Sequence, residues 1–302
     1  MTSTDSPSLR ALGYIIFGAA MVSFTSVFVE LAHVGPTVSA FYRMLFGGLI
    51  LLGITLLRGD RLWFGWKSLP ILFICAFLFS LDLFFWHRSI NFVGPGLATI
   101  LGNMQVFFVA LLAVWVLKEK LGWRLMVAIP FAVLGLFLIV RTGWGQQGGE
   151  VKLGVLYGLL TAFSYALYIL TLRKSQSAGQ KLRYSLFANM AWISLLSAVF
   201  LGITVVVEPH AHFGIPDLQT WGALIGLGVT GQVLGWVFIS KGLPEVDASV
   251  GGLALLLQPA LAFMWDIWFF DRPTTGLEYL GAGIVLLAIY LGASKKKKEK
   301  RK

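Results

Sequence analysis

Two glutamine side chains are polar groups placed within long apolar runs of the sequence. Gln105 and Gln258 each fall near the middle of such a run, and they occupy matching positions when the chain is compared with itself. An amide donates and accepts hydrogen bonds without carrying a charge, which suits a polar neutral or zwitterionic ligand. The alternative is that each amide bonds a neighbouring helix and stabilises packing.

Asp82 is the ionisable residue nearest to the middle of an apolar run, and on helical spacing it shares one face with Phe79 and Trp86. A carboxylate at membrane depth is a functional candidate, because it is costly there unless it is paired or hydrated. Asp82 could hold a substrate ammonium group or carry a coupling proton. Its alternative use is a structural ion pair with Arg43 or Arg88.

Aromatic and polar residues at similar depth share helix faces in pairs, namely Tyr165 with Tyr168, Gln232 with Trp236 and Gln258 with Trp265. A pocket built from them would be aromatic and mostly neutral, so it would favour bulky apolar or planar substrates, and cations could also bind to the ring faces. We therefore predict a substrate site between the helices. Its predicted residues are Ser23, Asp82, Trp86, Gln105, Tyr165, Tyr168, Gln232, Trp236, Gln258 and Trp265.

The runs that must position these side chains are too apolar for a soluble fold. The chain of 302 residues is 57% hydrophobic and 13% charged, whereas soluble domains carry about 25% charged residues. An apolar helix of about 20 residues crosses a bilayer, and barrel strands are much shorter. We predict an all-α integral membrane protein with ten transmembrane helices. The predicted spans are 10–32, 36–58, 68–90, 94–117, 122–141, 152–174, 183–207, 218–242, 246–270 and 276–293.

The net charge of +10 reflects basic residues that flank the spans and the tail 295–302. When the ten spans alternate in direction, most Lys and Arg residues fall on one side, with or without the tail. This bias predicts that both termini are cytoplasmic. The expected partners are the lipid bilayer and a small-molecule substrate, without nucleic acid, and the expected location is the bacterial inner (cytoplasmic) membrane.

The chain also resembles itself over two halves. Gln105 corresponds to Gln258 and Trp115 corresponds to Trp268. Such matches indicate duplication of a five-helix unit, and because five is odd, the second unit enters the membrane inverted. The predicted units are a first repeat 1–146, a second inverted repeat 147–294 and a basic tail 295–302.

Several segments carry a family resemblance: Arg43, Ser89 to Ala98, Trp115 to Lys120, Gly242 to Gly252, and Pro259. Through them the chain resembles the EamA-type drug/metabolite transporters, which implies ten spans in two five-helix repeats with both ends inside. The length, the Trp and Phe content and the start of span 4 make it similar to the YddG-like aromatic amino-acid exporters. A departure is the run Phe270 to Pro273, which matches the family's acidic residue only approximately.

These observations favour a secondary transporter that exports aromatic or bulky amino acids and related amphipathic metabolites by alternating access. The alternative is export of drugs, cations or other small metabolites through the same pocket. A membrane-embedded enzyme is a second alternative, disfavoured because the sequence has no compact catalytic set such as H-E-x-x-H. We expect no cofactor, no metal and no catalytic residue. Protons are a candidate coupling ion, and the exact substrate stays open.

Overall fold

The structure is a computed structural model that describes residues 9–63, 65–140, 151–181, 185–209, 211–271 and 273–293. These residues form helices joined by short connections, and they contain no strand. The α-helices are α1 Leu9–Ser23, α2 Thr25–Leu31, α3 Pro36–Leu57, α4 Leu69–Asn103, α5 Gln105–Trp115, α6 Trp123–Val140, α7 Val151–Lys181, α8 Leu186–Val207, α9 Leu218–Leu227, α10 Val237–Gly242, α11 Ala248–Ala254, α12 Leu257–Phe270 and α13 Gly276–Ala293. A π-helix, Gly228–Trp236, joins α9 to α10. The all-helical prediction is confirmed.

Within the described ranges, 8 helical stretches are long and apolar enough to cross a membrane. They are Leu9–Leu31, Pro36–Leu57, Leu69–Ile90, Ala98–Trp115, Lys152–Ser177, Leu186–Val207, Leu218–Glu245 and Ala248–Phe270. Two shorter apolar helices are Trp123–Ile139 and Gly276–Gly292. In chain order these segments follow the ten runs of the sequence prediction, and the count of ten membrane crossings stays a prediction.

The connection between the third and fourth predicted spans differs from expectation. The predicted spans end at residue 90 and begin again at residue 94, whereas α4 continues through this connection as one helical run, Leu69–Asn103. The chain nevertheless turns back within α4, since a Cβ on Gly102 would lie 3.8 Å from the Trp86 ring. Sixteen residues of straight helix would separate these positions by about 24 Å. The reversal falls between the membrane-spanning stretches Leu69–Ile90 and Ala98–Trp115, as the predicted spans require.

Helix pairing in the bundle relies on close backbone contact. α3 packs against α8, α6 against α13, α4 against α7, and α1 against α10 and the π-helix. In the α6–α13 pair, a Cβ on Gly135 would lie 2.6 Å from the Gly281 carbonyl oxygen. Helices without a hydrophobic driving force between them associate through such small-residue contacts. Many apolar side chains elsewhere on these helices are exposed, as expected for surfaces that face lipid.

The two ends of the bundle carry different polar contacts. At one end His33 Nδ1 lies 2.7 Å from Asp217 Oδ2, and the backbone N–H of Thr220 donates to Asp217 across 2.7 Å. Mainly because of its hydrogen bond with His33, the pKa of the Asp217 carboxyl is lowered to about 2. α3 runs from this end to the other, where Ser185 donates to Asp60 across 2.6 Å. At the first end, Asp217 caps α9 through the Thr220 N–H and connects the start of α9 to the turn between α2 and α3 through His33.

Three predictions stay open after this description. The tail 295–302, the repeat boundary between residues 146 and 147, and Arg272 lie outside the described residues. The cytoplasmic placement of both termini and the inverted relation of the two units also stay predictions.

Candidate functional site

Three aromatic rings from separate helices meet in the centre of the bundle. Phe79 of α4 stacks on Tyr168 of α7 with ring centroids 4.4 Å apart. Trp236, at the end of the π-helix, meets Tyr168 edge-on at 4.9 Å and Phe79 at 5.3 Å. All three side chains are at least 98% buried. We call Phe79, Tyr168 and Trp236 the aromatic centre.

Tyr165 and Gln258 extend the aromatic centre on one side. The Tyr165 ring lies 6.4 Å from Tyr168 and 6.1 Å from Trp236, one turn of α7 away from the former. The side-chain amide of Gln258, on α12, lies beside the Tyr165 hydroxyl. The structure therefore brings together four of the predicted site residues from α7, the π-helix and α12.

The π-helix positions Trp236 and Gln232. Gly228 and Gly231 lie on its packed face: a Cβ on Gly228 would lie 2.9 Å from the Gly47 nitrogen, and one on Gly231 would lie 3.0 Å from Arg43 Nε. π-Helices are rare and often occur at functional sites. The Gln232 amide donates to Ser194 Oγ across 2.7 Å, while its Oε1 atom is buried without a partner. Gln232 thus ties the π-helix to α8.

Several polar atoms around the aromatic centre are buried without a hydrogen-bond partner. They are Tyr168 Oη, Trp236 Nε1, Gln258 Nε2 and Arg43 Nε. Each unsatisfied group costs about 1–3 kcal/mol, so native proteins rarely keep such groups without a use. These four atoms can donate a hydrogen bond, whereas the unpartnered Gln232 Oε1 can only accept one, so a ligand here would meet mainly donors.

Arg43 and Asp82 place opposite charges beside these donors. Asp82 is 8% exposed, and Arg43 keeps partial solvent accessibility although it lies within a span. In the part of the chain that the structure describes, neither side chain makes a hydrogen bond or an ion pair. They are still close enough to interact electrostatically with each other and with Tyr165. The predicted alternative for Asp82, an ion pair with Arg43 or Arg88, is therefore not formed here.

Ser23 and Trp265 hold each other at the junction between α1 and α2. The Trp265 indole N–H donates to Ser23 Oγ across 2.7 Å, and Ser23 Oγ donates to the Ala20 carbonyl across 2.6 Å. Phe24 stacks on the Trp265 ring at 4.4 Å. These contacts join the first span to α12, so both predicted residues have partners within the protein.

Gln105 and Trp86 are placed away from the aromatic centre. The Gln105 amide donates to the Gly252 carbonyl across 3.2 Å and is fully buried between α5 and α11. This contact favours the packing alternative for the Gln105 amide nitrogen, while the Gln105 Oε1 atom is buried without a partner. Trp86 lies against the turn of α4 near Gly102.

An ionic cluster closes the bundle at the end where α5 finishes. Glu119 accepts hydrogen bonds from Arg173 Nη1 at 2.9 Å, from the backbone N–H of Ala248 at 2.8 Å and from Ser249 Oγ at 3.1 Å. Arg173 Nε also donates to the Leu243 carbonyl across 3.1 Å. Lys118, just before Glu119, has a φ of 57°, which turns the chain sharply out of the helix. We call Glu119, Arg173, Ala248 and Ser249 the end cluster.

A surface cleft of about 210 Å³ lies at the opposite end, lined by Val34 to Val38 and by Glu208, Pro209, Ala211 and His212. Within the described ranges, no three His, Cys, Asp or Glu side chains come together as a metal site would require.

The sequence model of the EamA-like transporter family matches this chain twice, over residues 9–141 and over residues 152–293. The chain belongs to the EamA-like transporter family. Transporter function and a multi-pass membrane location follow from this membership together with the apolar helices.

Relatives of this EamA-like transporter are themselves described as transporters. An uncharacterized transporter of Archaeoglobus fulgidus is 23% identical over 281 residues, covering 92% of this chain and 94% of the relative. A protein of Escherichia coli K12 described as a probable amino-acid metabolite efflux pump is 23% identical over 222 residues, covering 68% of this chain and 70% of that protein. A crystal structure with 15% identity has a TM-score of 0.80 over 93% of this chain and 96% of its own, which shows a shared fold.

Two members of the central site were not among the predicted site residues of this EamA-like transporter. Arg43 was considered as an ion-pair partner of Asp82 and as a residue that carries the family resemblance, and Phe79 as a residue on the same helix face as Asp82. The sequence signal for Arg43 was its charge within a span, since such residues are functional candidates. For Phe79 no signal separated it from the other 23 of the 24 phenylalanines.

Proposed function

We propose that this protein is a secondary carrier, and not an enzyme, that exports aromatic or similarly bulky amino acids and related amphipathic metabolites. The observation that carries the proposal is the aromatic centre with its unpartnered donors beside Arg43 and Asp82. Stacked and edge-on rings suit an aromatic or bulky side chain. Unpaired polar and ionic groups at membrane depth suit the polar end of the same molecule.

The relatives support the amino-acid assignment and the branch. The Escherichia coli relative is described as a probable amino-acid metabolite efflux pump, and we propose a similar substrate class for this chain. The resemblance to YddG-like aromatic amino-acid exporters supports the same choice. The proposed location is the bacterial inner membrane with both termini in the cytoplasm, as the basic residues predict.

Two inverted five-helix units and alternating access belong to this proposal. The two family matches support the duplication. The packing supports it too: α3 pairs with its counterpart α8, and α6 with its counterpart α13. Lys118 and Asp271 occupy corresponding positions at the ends of α5 and α12, and both have positive φ, 57° and 47°. Carriers with such repeats bind substrate between the units and switch access by moving one against the other.

The test is transport by purified protein in proteoliposomes. Uptake of radiolabelled phenylalanine or tryptophan is followed with and without an imposed pH gradient, against protein-free liposomes. We expect saturable flux that unlabelled aromatic amino acids compete away. Stimulation by the gradient would identify protons as the coupling ion.

A second candidate, export of drugs, organic cations or other small metabolites, is favoured by one feature, the electron-rich ring faces beside Asp82. Absence of amino-acid flux in a monodisperse sample, together with counterflow of a lipophilic cation, would replace the first proposal with this one.

A further inference from the structure

Arg43 and Asp82 are the two ionic side chains beside the aromatic centre, and neither has a partner in the described structure. Asp82 is 8% exposed, and Arg43 Nε is enclosed without a partner. Charged groups at membrane depth are costly unless they are paired or hydrated, so both are candidates for ligand contact. The two groups do not pair with each other within 4 Å, yet each interacts electrostatically with the other. Asp82 lies one helical turn from Phe79 on α4, and Arg43 Nε lies beside Gly231 of the π-helix, so both groups border the aromatic centre.

The ligand that satisfies both groups must carry both charges. An organic cation would pair with Asp82 and leave the Arg43 guanidinium unpaired, and a carboxylic acid would do the reverse. An α-amino acid carries its carboxylate and its ammonium group on one carbon, so a single small molecule can offer a partner to both Arg43 and Asp82. The neutral donors Tyr168 Oη and Trp236 Nε1 supply further hydrogen bonds for carboxylate oxygens.

We infer that Arg43 binds the α-carboxylate of the transported amino acid and that Asp82 binds its α-ammonium group, with the substrate side chain against the aromatic centre. This assignment rests on the function proposed above and narrows the substrate class to molecules that carry both α-groups. The carrier therefore selects molecules whose α-carboxylate and α-ammonium groups are both unmodified. The bound state is neutral, because the two charges of the zwitterion offset those of Arg43 and Asp82. Arg43 packs against Gly231 of the π-helix, and a Cβ added to that glycine would lie 3.0 Å from Arg43 Nε.

The first experiment measures counterflow of radiolabelled phenylalanine in proteoliposomes of the wild-type protein against four analogues. Phenethylamine lacks the carboxylate, 3-phenylpropionate lacks the ammonium group, and phenylalanine amide and N-acetylphenylalanine each mask one charge. We expect each analogue to compete about 10- to 100-fold more weakly than phenylalanine, because each leaves one charged group unpaired. Equal competition by phenethylamine would overturn the role of Arg43, and equal competition by 3-phenylpropionate would overturn that of Asp82.

The second experiment uses variants. Arg43→Gln should lower phenylalanine counterflow about 10- to 100-fold and abolish the discrimination against phenethylamine. Asp82→Asn should lower phenylalanine counterflow to a similar extent and abolish the discrimination against 3-phenylpropionate. Arg88→Gln and Glu30→Gln are the controls: Arg88 stacks over the Phe84 ring 3.4 Å from its centroid, and Glu30 is exposed. Both controls should keep the wild-type selectivity.

The outcomes separate this inference from the function on which it rests. Absence of phenylalanine flux in folded wild-type protein would contradict the proposed function itself. Intact flux and unchanged analogue selectivity in both variants would refute only the assignment of Arg43 and Asp82. An Asp82→Asn variant that loses gradient-driven uptake but keeps counterflow would show that Asp82 carries a coupling proton instead. If a variant is not recovered folded, the analogue series on the wild-type protein decides.

Discussion

At the scale of single residues, the unusual feature is a set of hydrogen-bond donors that are buried without acceptors. The Tyr168 hydroxyl and the Trp236 indole N–H are both in this state, although their rings pack well against Phe79. Ring burial stabilises the bundle, whereas each unpaired donor reduces stability. The two roles of these side chains can therefore be separated by substitutions that keep the ring.

Tyr168→Phe should maintain or raise thermal stability while it weakens transport. Removal of the hydroxyl deletes a desolvated donor that costs about 1–3 kcal/mol. If that donor binds substrate, the KM for phenylalanine uptake rises about 3- to 10-fold. Tyr157→Phe is the matched control on α7, since the Tyr157 ring stacks on Phe85 and Phe92 outside the aromatic centre. An unfolding temperature that falls for Tyr168→Phe would show that its hydroxyl is satisfied in the resting protein.

At the scale of elements, Glu119 joins the connection after α5 to α7 and to the start of α11. Its carboxylate receives the first N–H groups of α11 and the Arg173 guanidinium. Such a cap stabilises α11 and holds three segments together at one end of the bundle. At the corresponding sequence positions of the other unit, Arg272 replaces Glu119, and Pro95, which has no N–H, replaces Ala248.

Glu119→Gln should loosen the end cluster. We expect the free energy of unfolding to fall by about 1–3 kcal/mol, since a charged acceptor of several hydrogen bonds is lost. Because α11 and α7 are then less firmly joined, a cysteine at the buried position Ser240 should react faster with a maleimide in a Cys75→Ala background. Lys120→Gln, an exposed neighbour, is the control. Equal labelling rates in both variants would contradict a closing role for the cluster.

Close contact between α3 and the π-helix depends on Gly47. A Cβ there would lie 2.5 Å from Gln232 Cβ, whereas at Gly53, on the same helix, it would meet nothing within 4 Å. Gly47→Ala should therefore lower the free energy of unfolding by about 1–3 kcal/mol or more through overpacking. Gly53→Ala should be neutral or stabilising by up to about 1 kcal/mol, because alanine favours helix over glycine. Thermal unfolding in detergent compares the two variants, and equal effects would refute the contact.

At the scale of the whole molecule, ten crossings require both termini to lie on one side of the membrane. Reporter fusions at each terminus measure this directly: a fluorescent protein that folds only in the cytoplasm should be fluorescent at both ends. A fluorescent N-terminal fusion with a non-fluorescent C-terminal fusion would imply an odd number of crossings. In that case one of the short apolar helices, Trp123–Ile139 or Gly276–Gly292, does not span the bilayer.

Much of the fold follows from local properties of the chain. Apolar runs separated by glycine, proline and charged residues predicted the helices, since a bilayer requires each segment to satisfy its own backbone hydrogen bonds. The turn within α4 lies where the sequence predicts the connection between the spans 68–90 and 94–117. The π-helix was not predicted, because its glycines pack against α3 and that contact exists only in the packed bundle.

The sequence by itself determined that the chain is a bundle of membrane-spanning helices and which polar and aromatic residues lie within them. Only the tertiary structure decided how those residues are used. Gln105 and Gln258 are equivalent in sequence, yet the Gln105 amide nitrogen donates to the Gly252 carbonyl while the Gln258 amide lies beside the Tyr165 hydroxyl. Hydrophobicity is a property of each segment, but the hydrogen-bond partner of a buried side chain comes from another helix. That partner is known only when the helices are packed.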